Sequence, residues 1–190
     1  MGVTSTSIQL IERALKIVTV KNVMELGAQN LYDKAYPLPL PYASELYLGK
    51  GIEYSCIDLN GENGAMKMDL EKKYLPDKQF DLVTDFGTGE HVRNAYNVMK
   101  IIHDLAKPGG ILIRQNPKTG NWNEHGFWYI TQEFYRQLAR AQGYQIIELG
   151  EDAAMGNTTD GWNVYCICKK VNGNPFITKK LFKTIPVCSS

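Results

Sequence analysis

Gly27 closes the apolar run Val23 to Leu26. A short strand that runs into a glycine turn presents backbone N–H groups to a nucleotide-like ligand at the carboxyl edge of an open sheet. A full dinucleotide turn needs further glycines at fixed spacings, and here Ala28, Gln29 and Asn30 follow instead. Two carboxylates strengthen the indication. Asp58 ends the next apolar run, Glu53 to Leu59, where an acidic side chain can accept from both hydroxyls of a ribose. It stands about 30 residues beyond Gly27 rather than the usual 20 or so, and a proline-bearing insert accounts for the surplus. The alternative for Asp58 is a plain turn residue with Asn60 and Gly61. Asp69 follows Met66 and Met68; it would face an adenine amino group with the methionines against the ring, or simply open the charged stretch Glu71-Lys72-Lys73.

The chain has three histidines. His91 lies in Gly87-Thr88-Gly89-Glu90-His91-Val92 and His125 in the polar segment Asn116 to Phe127, and both loops are expected at the same sheet edge. Each histidine is a candidate for proton transfer, with Glu90 as orienting partner or alternative base; the alternative is a histidine that only bonds to backbone. His103 falls inside a helix and reads as structural. Trp122, Phe127, Trp128, Tyr129 and Trp162 suggest an aromatic-walled pocket, although such residues also fill cores.

These residues need a frame. Ile8, Ile11, Leu15 and Val18 repeat at three and four, which predicts a helix from Ser7 to Val18 with an N-cap from Thr4 to Ser7. Pro37, Pro39 and Pro41 forbid a helix directly after the glycine turn, so a loop is expected there, either covering a ligand or packed on the surface. Further strands are predicted at Glu53 to Leu59, Ala65 to Leu70, Phe80 to Gly87 and Ile111 to Ile113. Helices are predicted at Tyr42 to Leu48, from Val92 to Leu105 with Lys107-Pro108-Gly109-Gly110 as its stop, and at Thr131 to Gln142. Repeated strand, helix, strand implies right-handed parallel crossovers. Gly150 to Gly161 lacks a helical period, so Tyr144 to Leu149 and Asn163 to Cys168 should pair antiparallel.

The 190 residues suit a single domain, residues 1–190, with a core over about 20–169 and a tail over 170–190. That tail is expected to dock its apolar residues and leave its lysines in water. Lys plus Arg number 21 against 20 for Asp plus Glu, so no global field favours nucleic acid. No apolar run is long enough to span a bilayer and the start lacks a signal-peptide plan, from which a soluble cytoplasmic protein is expected. Four cysteines show neither zinc-site spacing nor a disulfide framework, and no metal site is expected. No glycine-rich loop ending in Lys-Ser or Lys-Thr occurs, which disfavours a nucleotide triphosphatase.

In the order of its elements the chain resembles the Rossmann-like (class I) S-adenosylmethionine-dependent methyltransferases over about Val20 to Lys169. The most specific part is Phe80-Asp81-Leu82-Val83 through Leu105-Ala106-Lys107-Pro108-Gly109-Gly110-Ile111-Leu112. Phe86-Gly87-Thr88-Gly89-Glu90-His91-Val92 and His125-Gly126-Phe127 resemble a subgroup near small-molecule and glycan methyltransferases. The resemblance implies an α/β fold: a seven-stranded, mostly parallel sheet of order 3-2-1-4-5-7-6, strand 7 antiparallel, with helices on both faces. It implies S-adenosyl-L-methionine as cofactor, with Glu25 and Gly27 near its methionine part, Asp58 on the ribose, Asp69 near the adenine, and Ala28, Leu59, Leu70, Asp85 and Phe86 completing the site. It further implies methyl transfer to an O or N atom of a small molecule or sugar, with His125, His91 and Glu90 as the catalytic candidates. Two rivals stand beside it. An NAD-dependent oxidoreductase would share the first half, and a catalytically inactive interaction protein could keep the fold.

Overall fold

The computed structural model describes residues 2–32, 41–122, 124–153 and 161–189. Most of the expected proline-bearing loop, residues 33–40, lies outside them.

Along the chain the elements are β1 (Gly2–Thr4), α1 (Ser5–Ile17), β2 (Asn22–Leu26), β3 (Asn30–Tyr32), α2 (Ser44–Leu48), β4 (Glu53–Asp58), β5 (Met66–Lys67) and β6 (Phe80–Phe86). They continue as α3 (Ala95–Leu105), β7 (Ala106–Pro117), β8 (Trp128–Tyr129), α4 (Gln132–Gln142), β9 (Tyr144–Ala153), β10 (Trp162–Lys170), α5 (Lys179–Phe182) and β11 (Cys188–Ser189). Seven strands form the main sheet in the order β5-β4-β2-β6-β7-β10-β9. Counted along the chain this is 3-2-1-4-5-7-6, and β10 runs antiparallel to both β7 and β9. The order and the antiparallel strand are those the resemblance implies.

Strand alternation sorts side chains into two cores. Met24, Leu26, Val83, Leu112, Cys166 and Cys168 face one side, under α3 and α4. Val23, Leu82, Ile111, Ile113 and Ile167 face the other, under α1 and α2. The period of two explains why strands covered on both faces read as unbroken apolar runs. Thr4 caps α1 through a reciprocal pair with Ser7, Asn94 caps α3 and Thr131 caps α4. Leu10, Ile11 and Ala14 are the buried stripe of α1.

Three features depart from the expectations. β7 starts directly after α3 and runs to Pro117 instead of spanning only Ile111 to Ile113, because Ala106 already pairs with Phe80 and the far end continues against β10. The third strand shrinks to Met66–Lys67, both exposed. A small parallel pair, β1 with β3, is added beside the glycine turn. In the tail, Phe176, Ile177, Phe182 and Ile185 are buried in the core under α3 and α4 while the Lys179, Lys180 and Lys183 side chains are exposed, as expected. Lys170 is buried at its head, its Nζ donating to the carbonyls of His103 and Ala106 at 2.8 and 2.9 Å, which caps the end of α3. Cys56, Cys166 and Cys168 are buried free thiols.

Candidate active site

The turn after β2 is fixed from three directions. Gly27 has φ +81°, and its N–H donates to the Ile57 carbonyl at 2.7 Å. A Cβ there would stand 2.4 Å from Thr88 Oγ1 and 2.6 Å from Gln29 Nε2, so both the backbone angle and the close approach require glycine. Gln29 Nε2 donates to Thr88 Oγ1 at 2.8 Å and to the Leu26 carbonyl at 3.2 Å. The side chain that stands where a second glycine would be thus bridges to the loop after β6. Beneath the turn Glu25 is fully buried and accepts from the Tyr54 hydroxyl at 2.7 Å. Burial pushes its carboxyl up to about 8, so it is neutral at pH 7.

A cavity of about 320 Å³ opens beside this turn, at the carboxyl ends of β2 and β4. Gly27, Ala28, Asp58, Leu59, Asp69 and Leu70 all line it, as do Ile57, Met68, Thr88 and His91. Asp58 accepts from the backbone N–H of Ala28 at 3.0 Å through one oxygen and from that of Asn60 at 3.2 Å through the other. Each carboxylate oxygen keeps a further lone pair for an incoming hydroxyl. Met68 lines the cavity as expected, whereas Met66 is half exposed and takes no part.

Three residues assigned to this cavity by resemblance stand elsewhere. Glu25 lies behind the turn, drawn into the core by Tyr54. Asp85 is buried under the next loop and accepts from the N–H groups of Thr88 and Gly89 at 3.1 and 3.0 Å. Burial raises its pKa while those hydrogen bonds oppose the rise. Phe86 alternates to the other face of the sheet edge and lines a second cavity of about 340 Å³. That cavity is mostly apolar. Its walls come from Tyr32, Phe86, Pro117 and Trp122, with Gly2 and Thr4 of β1 closing it and Gln115, Asn163, Glu90 and His125 as polar points.

Glu90 and His91 form a single 3-10 turn with Gly89 after β6, and His125 reaches the same place from the loop before β8. Glu90 is 1% exposed. Its Oε2 accepts from Asn116 Nδ2 at 3.0 Å, while Oε1 has no hydrogen-bond partner and lies 3.7 Å from His125 Nε2 and 3.9 Å from His91 Nε2. The two imidazoles meet edge-on at 4.9 Å between centroids, and Trp122 packs on His125 at 4.8 Å. Burial lowers the His91 pKa, partly opposed by the Glu90 charge. His91 lines the first cavity; Glu90 and His125 line the second. All three catalytic candidates therefore form one cluster in the wall between the cavities.

The supporting shell was not anticipated. Asn116 is fully buried; it donates to Asp85 as well as Glu90 and accepts from the Tyr135 hydroxyl at 2.7 Å. Gly126 packs on Glu90 so closely that a Cβ would meet its Cγ and backbone oxygen at 3.0 Å. The Tyr129 hydroxyl accepts from the N–H of His125 at 2.8 Å, and Trp122 and Glu124, both just before His125, adopt positive φ, 58° and 56°. Such angles cost non-glycine residues about 1–3 kcal/mol each and gather at functional loops. Of the aromatic residues expected to wall a pocket, Trp122 does so. Trp128 and Tyr129 are buried in the frame, Phe127 stacks under Arg93 at 4.2 Å, and Trp162 is partly exposed. His103 is structural, bonded to the Tyr144 hydroxyl and the Asn174 carbonyl at 2.8 and 2.9 Å.

Residues 48–114, from α2 through β7, match the sequence pattern of the family described as "Methyltransferase domain". Over this part of its length the chain is similar to methyltransferase domains, and its fold is Rossmann-like. Solved structures share the fold at low identity. The Burkholderia thailandensis 1,6-didemethyltoxoflavin-N1-methyltransferase, bound to 1,6-didemethyltoxoflavin and S-adenosylhomocysteine, is 14% identical with a TM-score of 0.60, over 86% of this chain and 76% of that one. N-methyltransferase NodS from Bradyrhizobium japonicum WM9, in complex with S-adenosylhomocysteine, is 16% identical with a TM-score of 0.60, over 85% of this chain and 84% of that one. The [4+2]-cyclase SpnF is 13% identical with a TM-score of 0.61, over 87% and 80%. That a cyclase shares this fold shows that the acceptor chemistry must be argued from the site. None of the curated proteins matches the sequence. Among the described residues no helix is long and apolar enough to cross a membrane.

Proposed function

We propose that this single domain transfers a methyl group from S-adenosylmethionine to an oxygen or nitrogen atom of a small molecule or sugar. The acceptor would be held in the apolar cavity walled by Phe86, Pro117 and Trp122. The observation that carries the reading is the shared wall: His91 faces one cavity, Glu90 and His125 the other, and the three side chains touch.

The first cavity suits the cofactor. Asp58 keeps acceptor capacity for a ribose, Asp69 lines the same cavity, and Ile57, Leu59, Met68 and Leu70 supply apolar walls for a planar base. When bound, S-adenosylmethionine supplies an electrophilic methyl group on a sulfonium that leaves as a neutral thioether. Everything else is the work of the chain. The cavity walls hold the acceptor in one orientation, which can contribute about 7–11 kcal/mol to such a reaction. Apolar walls exclude water from the reacting atom. His125, oriented by Glu90, can take the proton of an acceptor hydroxyl or ammonium, typically worth about 10²–10⁴-fold. Asn116 keeps Glu90 turned toward the imidazoles.

The test is to incubate the protein with S-adenosylmethionine and pooled hydroxyaromatic, aminoheteroaromatic and sugar acceptors. Acceptor mass gain by one methylene unit, with matching S-adenosylhomocysteine, is the result expected; transfer lost in His125→Ala would tie it to this wall.

Gln29 favours a second reading, a catalytically inactive methyltransferase-fold interaction protein. Its side chain bridges to Thr88 over Gly27, filling space that glycines leave open in a full nucleotide turn. That reading expects no transfer to any acceptor and an Asp58→Ala variant that keeps its partner.

A further inference from the structure

We propose that Glu90, His91 and His125 bind one divalent transition-metal ion. Each offers one ligand atom, and the three atoms lie within 4.8 Å of one another. The two carboxylate–imidazole separations, 3.7 and 3.9 Å, are too long for hydrogen bonds. They suit atoms that share a metal, since two bonds of about 2.1 Å span up to about 4.2 Å. The imidazoles need only a modest closure toward each other.

The strongest sign is Glu90 Oε1. It belongs to a side chain 1% exposed, has no hydrogen-bond partner, and is aimed at both Nε2 atoms. A buried, acceptor-only oxygen without a donor is costly, and a cation between it and the imidazoles removes that cost. The opposite oxygen is already fixed by Asn116, which is itself fixed by Tyr135 and Asp85. Metal sites require such outer partners to orient a carboxylate ligand. The strained backbone at Trp122 and Glu124 brings His125 to the same point.

Two imidazoles and one carboxylate select borderline ions such as Zn²⁺, Fe²⁺, Mn²⁺ or Co²⁺ over Mg²⁺ or Ca²⁺, which prefer all-oxygen sites. Three protein ligands leave coordination positions open, toward the apolar cavity and the groove lined by Glu124, Gly126 and Phe127. The ligand class for those positions is a hydroxyl or phenol oxygen. Its O–H bond would break with the proton passing to water in the groove, while the electron pair stays on oxygen and is donated to the metal. This role rests on the methyltransferase reading and, with the ion bound, replaces proton transfer to His125, whose Nε2 is then a ligand; metal binding itself does not rest on that reading.

Chelator-treated protein, free of any sulfur nucleoside, would be titrated with Co²⁺ and Zn²⁺ by absorption and calorimetry. One ion per chain is expected, with affinity falling at least about 100-fold in Glu90→Gln and in His125→Ala, beyond the 10–100-fold typical of outer partners. A measurement on the unaltered chain guards against variants that fail to fold: Mn²⁺ should broaden the ring proton resonances of His91 and His125 and spare His103. No saturable binding, equal binding by the variants, or equal broadening of all three histidines would overturn the proposal. Loss of S-adenosylhomocysteine binding would instead count against the methyltransferase reading and leave this result standing.

Discussion

Glu90 Oε1 and His125 Nε2 lie 3.7 Å apart although they come from separate loops. The carboxylate is held from behind by Asn116 and the imidazole from behind by Trp122, so the pair is set before any ligand arrives. The side of the pair that faces the apolar cavity is where an acceptor atom would have to sit.

His125→Ala is expected to lower turnover at least about 100-fold while S-adenosylhomocysteine binding stays within about threefold, because the imidazole stands outside the first cavity. Steady-state kinetics beside calorimetry read both quantities. A loss below tenfold would leave His125 a positioning role.

Asn116→Ala strips partners from Asp85, Glu90 and Tyr135 at once, all of them buried. Unfolding in urea should show about 1–3 kcal/mol lost for each group left unsatisfied, less where water enters. Tyr135→Phe removes one hydrogen bond only and should cost about 1 kcal/mol. Equal effects of the two variants would mean that Asn116 is not the hub.

Stability should carry a Glu25 signature. Its carboxyl titrates near 8 when folded against an ordinary 4.5, so between those values the folded chain holds a proton that the unfolded chain has lost. Stability contributed by neutral Glu25 is complete below 4.5 and falls as pH rises toward 8, by about 1.4 kcal/mol per pH unit. His103, held down to about 4 by burial and the Lys170 charge, acts oppositely between 4 and 6.5. The two offset each other up to 6.5, and Glu25 then acts alone of the pair. Glu25→Gln should therefore flatten the profile from pH 6.5 to 8 by about 2 kcal/mol relative to the unaltered chain. An equal change in unfolding free energy between pH 6.5 and 8 for the two proteins, measured by urea titration, would contradict a buried neutral carboxyl.

The sheet was legible in the sequence because each central strand is covered on both faces and so reads as an apolar run. The crossovers followed from helical periods such as Val98, Met99, Ile102 and Leu105. Gly27, Ala28, Asp58, Leu59, Asp69 and Leu70 were legible for a related reason, since they follow strand ends, and parallel strands bring their carboxyl ends to one edge. Asp85 and Phe86 show the limit. Asp85 is drawn under the loop after β6 by the N–H groups of Thr88 and Gly89, and Phe86, its neighbour on the strand, turns to the other face. Glu25 stands behind the turn because the Tyr54 hydroxyl holds it in the core, a partner that its own strand does not reveal. Asn116 and Tyr135 left no signal, because a single polar residue closing an apolar strand does not show which buried groups it will serve. The pair of β1 with β3, which closes the second cavity, was hidden by the shortness of both segments.

The most direct measurement is thermal unfolding with S-adenosylmethionine, S-adenosylhomocysteine and, as control, NAD. At about 100 times its dissociation constant a ligand of the folded state adds about 2.7 kcal/mol, a rise of roughly 5–10 °C for a domain of this size. The account predicts that rise with both sulfur nucleosides, none with NAD, and its loss in Asp58→Ala. No shift with either sulfur nucleoside at millimolar concentration, or an undiminished shift in Asp58→Ala, would contradict it.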